Sequence, residues 1–228
     1  MTNNKQGQEQ NVKSTNNGAN TFVEKNKKAL LGALIAVVVI IGGYFGYKYL
    51  YIQPLEEKAE AAIFKGEQYF GLGAFNEALN GDNKGYIGFL KIIDQYGGTP
   101  TANLAKAYAG ICYAQMGKDQ EAVKYLDQFD VNDDIVKPAT MGIMGNCYAN
   151  LNELDKATSF LTKAAEKADN NSLSPIYLMQ AGLIFEKQGK FNDALTAYNK
   201  IKDKYFASYQ AMEIDKYIER ATAEGATK

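Results

Sequence analysis

The chain reads as all-α: a single N-terminal transmembrane helix followed by an α-solenoid of about four helical hairpins and a C-terminal capping helix. Three observations predict this. Ala29 to Tyr47 is a run of 19 residues without a charge. Beyond it one triplet recurs four times with constant internal spacing: Gly66, Tyr69 and Ala78; Gly110, Tyr113 and Ala122; Gly145, Tyr148 and Ala157; Gly182, Phe185 and Ala194. Each copy also carries a turn former at one equivalent place, namely Gly73, Gly117, Asn152 and Gly189.

The uncharged run is long enough to cross a bilayer, since 19 residues at ~1.5 Å each give about 28 Å against a hydrocarbon thickness of about 30 Å. Lys25, Lys27 and Lys28 crowd its start, and Tyr44, Phe45, Tyr47, Tyr49 and Tyr51 gather at its end as an interfacial aromatic belt. The predicted transmembrane segment is 29–51. The lysines predict a cytoplasmic N-terminus with the repeats across the membrane. A cleaved signal peptide would have a short charged leader, a shorter apolar core and a small-residue cleavage site, which this run lacks. Residues 1–28 hold seven Asn and three Gln and scarcely any large apolar group, so they read as a disordered cytoplasmic tail.

The repeated triplets predict helical hairpins because two helices cross closely only where a side chain is nearly absent, and the Gly and Ala pairs supply that gap. The copies start 44, 35 and 37 residues apart, and are placed at about 59–99, 103–133, 138–170 and 175–206. Gly or Asn after a first helix accepts the left-handed conformation that ends it. Pro100, Pro138 and Pro175 fall near the predicted starts of three first helices, and Thr99 and Ser174 are candidate caps for two of them. The longer first interval marks an insertion, in which Asn80 to Gly85 are turn formers. Tyr86 to Tyr96 then reads as a helix that brings Phe89 and Ile92 to the core. Residues 208–223 repeat apolar side chains at Tyr209, Met212, Tyr217 and Ile218, the pattern of a helix capping the last open face.

With small residues at positions 8 and 20, an aromatic at 11 and a period near 34, residues 54–206 resemble the tetratricopeptide repeat (TPR) family. Bulky Leu126, Leu161 and Tyr198 match position 24, whereas the Trp usual at position 4 is replaced by Ala62, Lys106, Met141 and Leu178. The resemblance implies a TPR domain over 54–228.

Composition excludes several chemistries. Residues 54–228 carry 19 basic and 24 acidic side chains, leaving no phosphate-neutralising stripe and arguing against nucleic acid. The chain has no histidine, so the commonest proton-transfer and metal-binding group is missing. Cys112 and Cys147 occupy equivalent places in adjacent copies and read as buried free thiols. Asp130 to Asp134 imitates the opening of a calcium loop, but Ile135 and Met141 stand where Gly and a bidentate Glu are required. No catalytic residue, metal site, cofactor or small-molecule substrate is therefore predicted.

Surface recognition remains. The family resemblance implies that positions 2, 5, 9, 12 and 13 of each first helix line a concave face. These include Glu67 and Phe70; Ala107, Ile111 and Gln115; Gly142, Asn146 and Asn150; Met179, Leu183 and Glu186. Apolar groups beside amides suit a peptide, with the amides bonding its backbone. Repeats that clamp a C-terminal carboxylate carry Lys at position 5, where this chain has Ile63, Ala107, Gly142 and Met179.

The layout of Lys-rich leader, single span and repeat domain resembles the family of membrane-anchored ancillary subunits of the SecYEG translocon, whose TPR domain is shared with a cell-division coordinator. That resemblance implies an inner-membrane protein with a periplasmic, chaperone-like or scaffolding role beside the translocon. The partners it implies are SecYEG, periplasmic chaperones or secreted clients. An adaptor for cell-wall or division machinery is the alternative.

Overall fold

In the computed structural model, which describes residues 24–131 and 133–226, the chain divides at Pro54 into two compact units. Most of the predicted tail, residues 1–23, lies outside the described residues. The described residues contain helices and turns and no strand.

In the first unit, α1 spans Lys27–Tyr47 and continues into a π-helical turn, Lys48–Ile52. Its apolar side chains, Leu30 to Ile41, are all exposed. A helix this long and apolar is, by length and composition, a candidate membrane span. Phe45 stacks on Tyr49 and Tyr47 on Tyr51 at its end.

The second unit is built from α2 (Gln53–Gly71), α3 (Phe75–Asn80), α4 (Phe89–Gln95), α5 (Pro100–Gln115), α6 (Asp119–Asp127), α7 (Val136–Asn150), α8 (Leu154–Ala168), α9 (Ser174–Lys187), α10 (Phe191–Lys204), a 3₁₀ turn (Gln210–Glu213) and α11 (Ile214–Ala226). Helices α5 to α10 form three antiparallel hairpins, each packed on the next. The small residues act as predicted. A Cβ on Gly110 would stand 2.5 Å from Leu126, one on Gly145 2.7 Å from Leu161, and one on Gly182 2.2 Å from the Tyr198 ring. The bulky position 24 of each second helix thus enters the space that glycine leaves in the first. Gly73, Gly117, Asn152 and Gly189 all have positive φ, between 59° and 73°. In each copy the following amide reaches back to the carbonyl of the signature aromatic: Ala74 to Tyr69, Lys118 to Tyr113, Glu153 to Tyr148 and Lys190 to Phe185.

The first copy closes differently. Tyr86 to Gly88 are not helical, because Gly85 and Gly88 take φ of 103° and 90° and the helix starts only at Phe89. Tyr86 instead lays its ring against Gly66 and donates its hydroxyl to the Ala78 carbonyl at 2.8 Å. Phe89 and Ile92 are fully buried, as predicted. The loop is held by Asp82. Its Oδ2 accepts from Lys65 Nζ at 2.5 Å and Tyr69 OH at 2.6 Å, and its Oδ1 accepts from the Lys84 and Tyr86 amides at 2.8 and 2.9 Å.

Two further expectations need correction. Thr99 caps α5 by accepting from the Ala102 amide, but Ser174 does not cap α9. The Asn170 side chain accepts from the Ser172 and Leu173 amides there, while Ser174 Oγ donates to Ala165 O at the end of α8. In the cap, Tyr209 and Met212 are exposed, and Ile214 and Ala221 are the buried pair. The tighter 3₁₀ turn resets the register before the α-helical face begins.

Candidate peptide-binding face

The first helices α5, α7 and α9 pack chiefly on the second helices of their own and the preceding copies, which leaves part of each accessible. Five of the residues singled out from the sequence remain reachable: Ile111 is half-buried, and Gln115, Asn146, Asn150 and Leu183 are exposed. Leu183 is the most accessible apolar group among them, at 41%. Asn150 donates to Asp119 of the preceding copy at 3.1 Å, which orients its amide.

The other six are engaged in packing. Ala107 is buried between helices, and Gly142 is closed by the Tyr177 ring, only 2.3 Å from where its Cβ would be. Both lie at position 5, which in this chain belongs to the helix contact and not to an open surface. Phe70 sits edge-on to Tyr108 and Phe75, Glu67 accepts from Tyr108 OH at 3.1 Å, and Met179 packs on the core. Glu186 is bound to Arg220 of α11 at 2.6 Å, the guanidinium lying over the Tyr217 ring. The capping helix therefore takes up part of the predicted face at the last copy.

Two residues absent from the sequence-derived set join it. Leu104 and Ile176 are 39% and 37% exposed and lie seven positions before Ile111 and Leu183, two helical turns along the same stripe. Position 2 of the repeat was the available signal. The accessible groups are thus two apolar pairs, Leu104 and Ile111 on α5 and Ile176 and Leu183 on α9, with the amides of Gln115 on α5 and of Asn146 and Asn150 on α7.

No reactive centre emerges elsewhere among the described residues. Burial pushes the Cys112 and Cys147 thiols up to about 12, which keeps them protonated, and both are free. The Asp133 carboxylate, held below its usual range by the Val136 and Ile135 amides, ties the turn before α7. No group of three metal-ligating side chains occurs among the described residues.

Residues 108–130 and 177–205, within the α5–α6 and α9–α10 hairpins, match the tetratricopeptide repeat family. The fold is a TPR-like solenoid. Similar solved structures include MamA protein, at 19% identity over 75% of this chain and 94% of that one with a TM-score of 0.53. Another is a set of nearly identical TPR-like repeats ascribed to a kinesin light chain of Podosopora anserina. It shares 11% identity over 75% of this chain and 88% of that one, with a TM-score of 0.55. At these identities the likeness is one of fold alone. A comparison with curated proteins finds no match. A solenoid of this kind is typically a non-catalytic scaffold for protein interaction.

Proposed function

We propose that this chain is a membrane-anchored, protein-binding scaffold that holds extended polypeptide segments on the accessible side chains of α5, α7 and α9. The observation that carries the reading is the exposure of Leu104, Ile176 and Leu183, with half-buried Ile111, on the same first helices as the accessible amides of Gln115, Asn146 and Asn150 or on their neighbour. The apolar side chains would meet those of a peptide while the amides bond its backbone. On this reading 29–51 crosses the inner membrane, 1–28 is a cytoplasmic tail, and 54–228 is a periplasmic TPR domain. The lysine cluster before the span supports that direction. The role is that of a chaperone-like accessory of the SecYEG translocon, supported by the layout of leader, span and repeats.

The test places a photocrosslinker at Ile111 or Leu183 in living cells. Capture of translocating clients or Sec components is expected, and capture confined to cell-wall or division proteins would transfer the role to that machinery. Replacing Ile111 and Leu183 together by Glu is expected to abolish capture while leaving the circular-dichroism melt unchanged. Undiminished capture by that double variant would show that another face binds. Protease treatment of spheroplasts should digest the repeat domain, and its protection would reverse the topology.

A further inference from the structure

We propose that the cleft between α2 and the inserted loop of the first copy binds the phosphate headgroup of an anionic phospholipid, an assignment that rests on the membrane-anchor reading. Lys58, Ala61, Ala62 and Lys65 form one wall, one face of α2 over two turns. Lys84, Gly85, Tyr86 and Ile87 of the loop and Gln95 and Tyr96 after it complete the lining of an open cleft of about 550 Å³.

No carboxylate lines this cleft, although the domain around it is net acidic. Asp82, the neighbouring acid, is 9% exposed at its side chain and has both oxygens engaged by Lys65, Tyr69 and the Lys84 and Tyr86 amides. It neutralises Lys65 and fixes the loop. Lys58 and Lys84 both line the cleft, are exposed and have no ion pair among the described residues. The loop that supplies Lys84 is the insertion of the first copy, the copy that follows the anchor along the chain. The covalent chain alone keeps Lys58 within about 24 Å of Tyr51, at seven residues of at most ~3.4 Å each. That tether lets the lysines come within about 10 Å of the bilayer surface, where they gain by meeting anionic headgroups, and a strapped loop presents them with little ordering left to do. The open conformation of Gly85, where an added Cβ would meet nothing, leaves room for a headgroup against the backbone.

The full chain reconstituted in nanodiscs provides the test. Amine acetylation is followed by mass spectrometry at Lys58 and Lys84, with exposed Lys163 as reference. Acetylation of both is expected to be about fivefold slower in discs of phosphatidylcholine with phosphatidylglycerol than in discs of phosphatidylcholine alone, with Lys163 unchanged. Lys84→Gln should release the protection at Lys58, and Lys58→Gln that at Lys84. Equal rates in the two discs, or equal slowing at Lys163, would overturn the site. So would the same protection by inorganic phosphate in detergent, which would make the ligand free phosphate. Co-elution of the chain with the discs reports separately on the anchor: its absence removes the anchor reading, and its presence without protection removes the lipid site alone.

Discussion

The first copy and the third use the same glycine gap and fill it by different means. In the third, Gly145 receives Leu161, a residue of the partnering helix α8, with the Ala157 carbonyl of the same helix beside it. In the first, Gly66 receives Tyr86 from an irregular loop together with Phe89 from the helix that follows. That loop keeps its position through Asp82, whose carboxylate Lys65 first and Tyr69 second hold well below the usual range. The crossing geometry of a hairpin thus requires a gap and a filler. It does not require the filler to be helical, provided that polar anchors replace the helix's own hydrogen bonds.

The largest effect on this contrast is expected from removing the shared apolar fillers. Phe89→Ala should cost about 3–5 kcal/mol and Leu161→Ala about 2–5 kcal/mol, measured by urea unfolding. If Phe89→Ala were the cheaper by a wide margin, the first copy would be an appendage and not part of the stack. Gly145→Val is next, at about 1–3 kcal/mol from overpacking against Leu161. Hydrogen exchange should show α7 and α8 loosened and Asp82 to Tyr86 unaffected. Tyr86→Phe keeps the ring but loses the bond to Ala78, for about 1 kcal/mol. Its exchange signature should be confined to α2, α3 and the loop.

The smallest effect at neutral pH, and the most selective, concerns acid. The folded value of Asp82 is depressed, so its contribution is fully present above the unfolded value of about 3.9 and is lost as pH falls below that through the folded value. Lowering the pH through this window should loosen the Asp82 to Tyr86 amides before those of α7 and α8. Asp82→Asn should abolish that difference. Simultaneous opening of both copies in the wild type would mean that the carboxylate does not hold the loop.

Much of this was legible in the residues. Glycine, alanine and aromatic signatures report on close crossings, and those constraints are local: that helices cross at Gly110 and at Gly182 follows from spacing within one hairpin. The inserted loop was recognisable as turn formers, but the start of the following helix was misplaced, because the positive φ of Gly88 is fixed by the backbone pressed against Leu79 and Asn80. The candidate face was half legible. Ile111, Asn146 and Leu183 are where the repeat period puts them. Ala107, Gly142 and Glu186 were drawn inward by partners on other helices, Tyr177 and Arg220 among them, that no spacing within a single copy can name.

By itself the sequence determined the helical hairpins, their turns, their small-residue crossings and the apolar span, because each depends on propensity, periodicity or steric size within a few dozen residues. Only the tertiary structure decided which side chain fills each gap, which positions of the first helices stay open, and that Lys84 of the inserted loop lines one cleft with Lys58 and Lys65 of α2. Those outcomes depend on the register of one element against another, and register is set by packing across the whole stack.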